Sequence, residues 1–338
     1  MCPRTRTDLG QCRNSGPPVK AAADPIEGTI HAMSLPTDPL WPRAGHWIVP
    51  ADGDSTAPVD LALIGIPAHD SSITPTGAHA TPSAVRDALM RYSTWAGSHA
   101  VDVATLRACD FGDVPDPDGA GGVERVAAAV ARAAGARLLV ALGGDNSITY
   151  STMLALAGPD LSGWGLITVD AHHDLRDGDS NGSPVRRLLE AGLPGHNVVQ
   201  IGIADFSNSP AYAARAREYG ISVVHRSELA RRALKEVAES ALKVAGAGGR
   251  PVFVDIDVDV CDRAEVPGCP SSAPGGISAH ELRSLTFLLA RDARVAALDI
   301  TEIDATADAV DGRTVRLAAL LMLEAAAGLA MRPGPARA

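Results

Sequence analysis

From Val59 onward the chain alternates short, nearly continuous apolar runs with longer stretches rich in Ala, Arg and Glu. The apolar runs fall at 61–66, 138–142, 166–169, 198–203, 252–256 and 295–300. Runs without polar alternation predict strands covered on both faces rather than half-exposed ones. Between them, helical spacing predicts helices over 122–134, 210–219, 227–245, 279–290 and 313–330. Strand and helix in repetition are the βαβ pattern of a mainly parallel sheet with helices on both faces, a three-layer αβα arrangement. Such sheets bind ligands beyond the carboxyl ends of their strands. One domain over 46–338 is expected. The segment before it reads differently, with Pro3, Gly16-Pro17-Pro18, Pro25, Pro36, Pro39 and Pro42 and no sustained hydrophobic period, and is expected to form a flexible arm over 1–45.

Two of the predicted strands run into acidic turns. Asp170-Ala171-His172-His173-Asp174 follows the run ending at Val169, and Asp257-Val258-Asp259 follows Ile256. Carboxylates gathered where a buried strand emerges repel one another and take up protons unless a positive group neutralises them, and a divalent cation does this best. One Asp-x-Asp at a strand end is commonly a turn or a helix cap. Two such clusters, one with His172 between aspartates, point to a metal centre. Hard carboxylate oxygens with one imidazole suit Mn²⁺.

Composition narrows the partners. The formal net charge of −10 argues against nucleic acid, which calls for a basic face. Five cysteines with no CxxC pair suit a reducing cytoplasm, and no apolar stretch reaches the roughly 18–20 residues needed to cross a bilayer. A soluble cytoplasmic protein acting on a small molecule is expected, with no nucleic acid and no membrane among its partners.

The ordered set Gly143-Gly144-Asp145-Asn146-Ser147, Asp170-Ala171-His172-His173-Asp174, Asp257-Val258-Asp259 and Asp299-Ile300-Thr301-Glu302 resembles the ureohydrolase family of arginases, agmatinases and formimidoylglutamases over residues 59 to 331. Gly77-Ala78, the run Thr81-Pro82-Ser83-Ala84-Val85-Arg86, Pro267-Gly268 and Gly275-Gly276 extend the match. The resemblance implies an arginase-like α/β fold, usually oligomeric, and a two-manganese centre that activates water against a guanidinium or amidine carbon. Carried over residue by residue, it makes Asp170 and Asp257 bridging ligands, His172 and Asp259 ligands of one ion, and Asp174 a ligand of the other. Glu302 resembles the acidic residue that receives the substrate's N–H groups.

The chain departs from the family pattern twice. Asn146 stands where most members place a histidine ligand, and an amide oxygen is a weaker donor than imidazole. Between one and two Mn²⁺ per chain are therefore expected, the ion at Asn146 held loosely and lost on purification. Asn181, in Ser180-Asn181-Gly182-Ser183-Pro184, replaces a histidine thought to shuttle protons, and Asn does not titrate. The shuttle is then assigned to Asp174.

Arg176, two residues beyond Asp174, is expected to present a guanidinium to a substrate carboxylate, with Asn181, Ser183 and Glu302 completing the substrate contacts. N-Formimino-L-glutamate carries two carboxylates beside its amidine, agmatine none. The runs Asp174-Leu175-Arg176 and 312–319 also resemble formimidoylglutamases more than agmatinases. Hydrolysis of formiminoglutamate to glutamate and formamide, a step of histidine degradation, is the expected activity. The alternatives are an agmatinase or other guanidino-acid amidinohydrolase that releases urea, and a catalytically impaired regulatory homologue. A phosphatase is disfavoured because so negative a site repels phosphate.

Neighbouring polar residues have plainer expected roles. Strand alternation is taken to turn His173 and Asp255 away from the ligands, Asp255 to pair with backbone or an arginine. Asp262, Asp304 and Asp308 are expected to brace loops, and Cys261 and Cys269 to pack. Arg186, Arg187 and Arg263 are further candidates for substrate contact.

Overall fold

The computed structural model describes residues 38–51 and 58–332. The expected arm over 1–45 lies, through residue 37, outside the described residues. From Ala44 the chain is packed: Ala44 is fully buried and its N–H donates to the Tyr92 carbonyl.

Among the described residues, nine parallel strands form the central sheet: β1 (Val49–Pro50), β2 (Leu61–Ile66), β3 (Ala108–Asp113), β4 (Leu138–Gly143), β5 (Gly165–Val169), β6 (Val198–Ile203), β7 (Ser222–His225), β8 (Val252–Asp257) and β9 (Val295–Thr301). Their order across the sheet is β1-β3-β2-β4-β9-β8-β5-β6-β7. The helices are α1 (Ala44–Trp47), α2 (Thr81–Leu89), α3 (Gly122–Arg132), α4 (Ile148–Ala157), α5 (Pro184–Glu190), α6 (Pro210–Tyr219), α7 (Arg226–Leu229), α8 (Leu234–Ala245), α9 (Ala279–Ala290) and α10 (Arg313–Ala330).

Side chains alternate along each strand between two cores. Leu61, Leu63, Val254 and Ile256 join α2, α8, α9 and α10 on one face. Ala62, Ile64, Phe253 and Ala297 join α3, α4, α5 and α6 on the other. This is the expected three-layer αβα architecture, with a sheet that is wholly parallel. Continuous apolar strands fit because both faces are covered.

All six predicted strands form. The sheet also uses β1, β3 and β7, shorter or more polar strands toward its edges. The helix expected over 227–245 is two helices, because Ala233 takes an extended backbone (φ −65°, ψ 131°) just before α8. Among the described residues no helix is long and apolar enough to cross a membrane.

The central strands β4, β9, β8 and β5 are adjacent, so the loops leaving their carboxyl ends meet above the sheet. At Gly144 the chain passes so close to Ala68 that a Cβ would stand 1.7 Å from its carbonyl oxygen. Only glycine fits there, and it brings the 143–147 loop against residues 68–72.

Candidate metal centre

The acidic turns converge as the sequence suggests. Asp170 and Asp174 follow β5, Asp257 ends β8, and Asp259 lies in the short 3₁₀ turn Val258–Val260. Ligand atoms of Asp170, His172 and Asp259 lie within 4.8 Å of one another, as do those of Asp170, Asp174 and Asp255. The two groups share Asp170. Asp257 lines the same pocket as His172, Asp174, Asp259 and Glu302.

Local hydrogen bonds aim these carboxylates. Asp170 Oδ1 accepts from the His172 N–H at 2.6 Å, Asp257 Oδ1 from the Asp259 N–H at 2.8 Å, and Asp259 Oδ1 from the Ala171 N–H at 3.0 Å. His172 Nδ1 lies 2.7 Å from Asp259 Oδ2. Asp174 and Glu302 both hold a left-handed backbone, φ 53° and 62°. Such strain in two acidic side chains of one pocket is of the kind found at functional sites.

Electrostatics expose a deficit of positive charge. Burial, then neighbouring carboxylates, raises Asp174 and Asp257 well above the usual carboxylate range and Asp170 to about 6. Burial, then Asp145, pushes Glu302 to about 7. The negative charge of Asp259 drives His172 up to about 12. Burial alone would raise Asp259 too, but the His172 cation and its hydrogen bond hold it at about 2. In the metal-free chain, a proton on His172 thus does part of the neutralising.

The donor set fits manganese. Oδ2 of Asp170 and both carboxylate oxygens of Asp255 are buried without a hydrogen-bond partner. Orphaned carboxylate oxygens in a protein interior are costly, and a cation ligated by them removes that cost. Carboxylates with one imidazole are the donors Mn²⁺ takes.

Asp255, contrary to the expectation that it turns away and pairs with backbone or an arginine, faces the ligands: residues two apart on a strand share a face, so it stands on the same side as Asp257, one pleat deeper. Its strand periodicity carried that signal. His173 does face elsewhere, with Nδ1 2.7 Å from Gln200 Oε1.

Asn146 is at the site but differently turned. Its Nδ2 donates to Asp174 Oδ2 at 2.5 Å, while its Oδ1 accepts from Thr301 at 3.0 Å and lies 3.0 Å from Thr149 Oγ1, whose single proton goes to the nearer Asp299 Oδ2 at 2.8 Å. Ligation through that oxygen requires the amide to turn over.

Asn181 bridges the rim of the pocket to its floor, accepting from the Ile73 N–H and donating to Glu302 Oε1 at 2.9 Å. Glu302 Oε1 also accepts from the Asn146 N–H at 2.8 Å, and Oε2 has no protein donor among the described residues. Arg176 lines the pocket, is exposed, and makes no side-chain hydrogen bond or ion pair among the described residues.

Ser183 does not line the pocket. It is fully buried and exchanges hydrogen bonds with the Ser180 backbone, so it shapes the loop instead of meeting substrate. Three arginines are likewise engaged elsewhere. Arg186 ties the Arg176 and Gly178 carbonyls, Arg187 stacks 3.8 Å over Tyr150, and Arg263 donates to the Cys269 carbonyl. Asp262 and Asp304 accept backbone N–H groups of surrounding loops, and Asp308 accepts the Val315 N–H in the first turn of α10. Burial raises the Cys261 and Cys269 thiols, which remain protonated packing groups.

Sequence reasoning missed the rest of the pocket wall: Ser72 to Thr74, Ser207, Asn208, Tyr212 and Pro270-Ser271. These carry no motif. Folding brings the first group in through Asp145, whose Oδ2 accepts from Ser71 and Ser72.

Known proteins give the same picture. The arginase family model matches residues 59–328. The formimidoylglutamase of Halalkalibacterium halodurans is 36% identical over 282 residues, covering 79% of this chain and 86% of that protein. The crystal structure of formimidoylglutamase from Bacillus subtilis superposes with a TM-score of 0.81 at 31% identity, over 89% of this chain and 96% of that one. Trypanosoma cruzi formiminoglutamase, solved with Mn²⁺, gives a TM-score of 0.74 at 26% identity over 87% of this chain and 100% of that one.

Proposed function

This chain belongs to the arginase family, and we propose that it is a manganese-dependent hydrolase that cleaves N-formimino-L-glutamate to L-glutamate and formamide. One observation carries the reading: a single pocket joins a floor of buried carboxylates and His172 to the unpaired guanidinium of Arg176. A substrate with a cationic amidine at one end and carboxylates at the other matches both.

Asp170 and Asp257 would each hold both ions, His172 and Asp259 one of them, and Asp174 the other. When bound, the manganese pair supplies a water acidic enough to attack near neutral pH. Arg176 pairs with the substrate's carboxylates and sets its reach into the pocket. Glu302 has one oxygen committed to the Asn146 and Asn181 donors and offers Oε2 to the amidinium N–H groups. Water oxygen adds to the formimino carbon, and the bond from that carbon to the glutamate nitrogen breaks. Asp174, whose Oδ2 accepts from Asn146, is the carboxyl group placed to carry the required proton to the departing nitrogen.

The domain over 46–338 acts in this reading as one catalytic unit, in the cytoplasm and as a homo-oligomer. Three buried free cysteines among the described residues suit a reducing compartment. The test is a side-by-side incubation of the manganese-loaded protein with formiminoglutamate, agmatine, arginine and guanidinobutyrate. Formamide from formiminoglutamate supports the assignment. Urea from a guanidino substrate replaces it with an amidinohydrolase, and no product from any of the four makes the chain a non-catalytic relative.

A further inference from the structure

Beneath the metal ligands lies a second polar layer. Register pairing sets Asp255 on β8 beside Asp299 on β9 and Thr168 on β5, two residues below Asp257, Thr301 and Asp170. Asp299 is accounted for on one side, since Thr149 Oγ1 donates to its Oδ2 at 2.8 Å. Asp255 is 0% exposed and receives no hydrogen bond from any other described residue: its carboxyl faces that of Asp299, a contact that is a hydrogen bond only while one of the two is protonated.

An oxygen of this carboxylate lies within 4.8 Å of ligand oxygens from both Asp170 and Asp174. That is the side on which a ligand is missing. The residue in the family's histidine position, Asn146, turns its NH₂ toward Asp174 and its oxygen toward the Thr301 hydroxyl. A cation between Asp170 and Asp174 therefore lacks a donor where imidazole is expected, and an unused carboxylate stands within reach of it.

The geometry points to Asp255 as a direct ligand of the deeper ion, replacing the donor that Asn146 does not provide. This inference rests on the metallohydrolase reading above. It would make the deeper site all-oxygen, held by Asp170, Asp174 and Asp255, while the outer site would keep His172 and Asp259. An all-oxygen set retains Mn²⁺ through charge and oxygen number and needs no imidazole. The second ion then stays bound, against the expectation from Asn146 alone that it is lost.

The experiment is a Mn²⁺ titration of the chelator-treated full chain, with bound ion counted by calorimetry and by the electron paramagnetic resonance of free Mn²⁺. The wild type is compared with Asp255→Asn, Asp255→Ser and Asp299→Asn. Two ions per wild-type chain are expected, together with loss of more than about 100-fold in affinity for one of them in both Asp255 variants. That exceeds the roughly 10- to 100-fold cost of removing an outer partner of a ligand. Asp299→Asn should keep two ions, because its amide still fills the space beside Asp255. Thermal melts of the metal-free variants check folding, and substituting either of two facing buried carboxyl groups should not lower them. A smaller loss in both Asp255 variants, equal losses in Asp299→Asn, or one ion in the wild type overturns the role of Asp255 and leaves the metallohydrolase reading standing. A wild type that takes up no Mn²⁺ overturns both.

Discussion

Nδ2 of Asn146 lies 2.5 Å from Oδ2 of Asp174, so this side chain faces the acidic site as a donor rather than as a ligand. Replacing it with histidine puts a nitrogen lone pair where the amide presents hydrogens. Asn146→His should hold Mn²⁺ about tenfold more tightly at the deeper site, about 1.4 kcal/mol. The Thr301 hydroxyl loses its acceptor, at a cost of about 1 kcal/mol in the metal-free state. Dialysis against graded chelator, followed by metal analysis, reads the first effect. Retention no better than wild type would mean that imidazole at 146 does not reach the ion.

The metal-free protein should weaken as pH rises through neutrality. Burial first, then neighbouring carboxylates, raises Glu302 to about 7, and burial raises Asp299 to about 7 against the hydrogen bond from Thr149. A raised carboxyl keeps its proton in the folded chain while the unfolded chain has already lost it. Stability is therefore greatest below the unfolded values and falls progressively between about pH 4 and pH 7. His172, raised to about 12, acts in the same sense above its unfolded value. The depressed Asp259, at about 2, acts oppositely only in a lower window. Thermal melts should show a lower Tm at pH 8 than at pH 5 without metal, and a larger rise on adding Mn²⁺ at pH 8. A metal-free Tm that is flat or rising over this range contradicts the picture of crowded, unneutralised carboxyl groups.

How much of this was legible follows from which residues act locally. The strands 61–66 and 198–203 were readable because burial on both faces leaves an unbroken apolar run, and Asp170, His172, Asp174, Asp257 and Asp259 because acidic turns directly follow such runs. β3, with Asp110 and Asp113 in its outer half, was not, since both aspartates turn to Arg86 and give the strand a loop-like composition. Ser183 shared a loop with Asn181 but lies on its buried side, a distinction made only by the tertiary fold. Asp255 was readable by period two and was misassigned, because a charged residue inside a strand is easily taken for one that pairs with a nearby arginine. Ser72, Ser207 and Tyr212 reach the pocket from distant elements, and nothing near them in sequence marks that convergence.

Arg176 should govern substrate affinity rather than the chemical step. Its guanidinium lines the pocket with no partner of its own, so truncation leaves no protein group unsatisfied. A charge-assisted hydrogen bond contributes about 1.5–3 kcal/mol. For Arg176→Ala, that predicts a rise in KM for a dicarboxylate amidine of about 10- to 100-fold with kcat within a few-fold of wild type. Arg176→Lys should recover part of the loss, keeping the charge without the planar fork. Steady-state kinetics on formiminoglutamate separate the two parameters, and an unchanged KM in the alanine variant removes the carboxylate clamp.

Asp257 offers the sharpest separation of chemistry from stability. Its carboxylate is buried, accepts the Asp259 N–H, and is raised well above the ordinary range by burial and by Asp259, Asp170 and Glu302. Asp257→Asn keeps an oxygen for the Asp259 N–H and removes one charge from the crowd. The metal-free variant should therefore melt no lower than wild type, and higher at pH 8. Without a bridging carboxylate the ions lose their shared support, and kcat should fall by at least about 10³-fold, about 4 kcal/mol of barrier. The opposite result, turnover within tenfold of wild type in a fully folded variant, would show that the pocket works without Asp257 between its ions, and the assignment of bridging ligands would have to be redrawn around Asp170 alone.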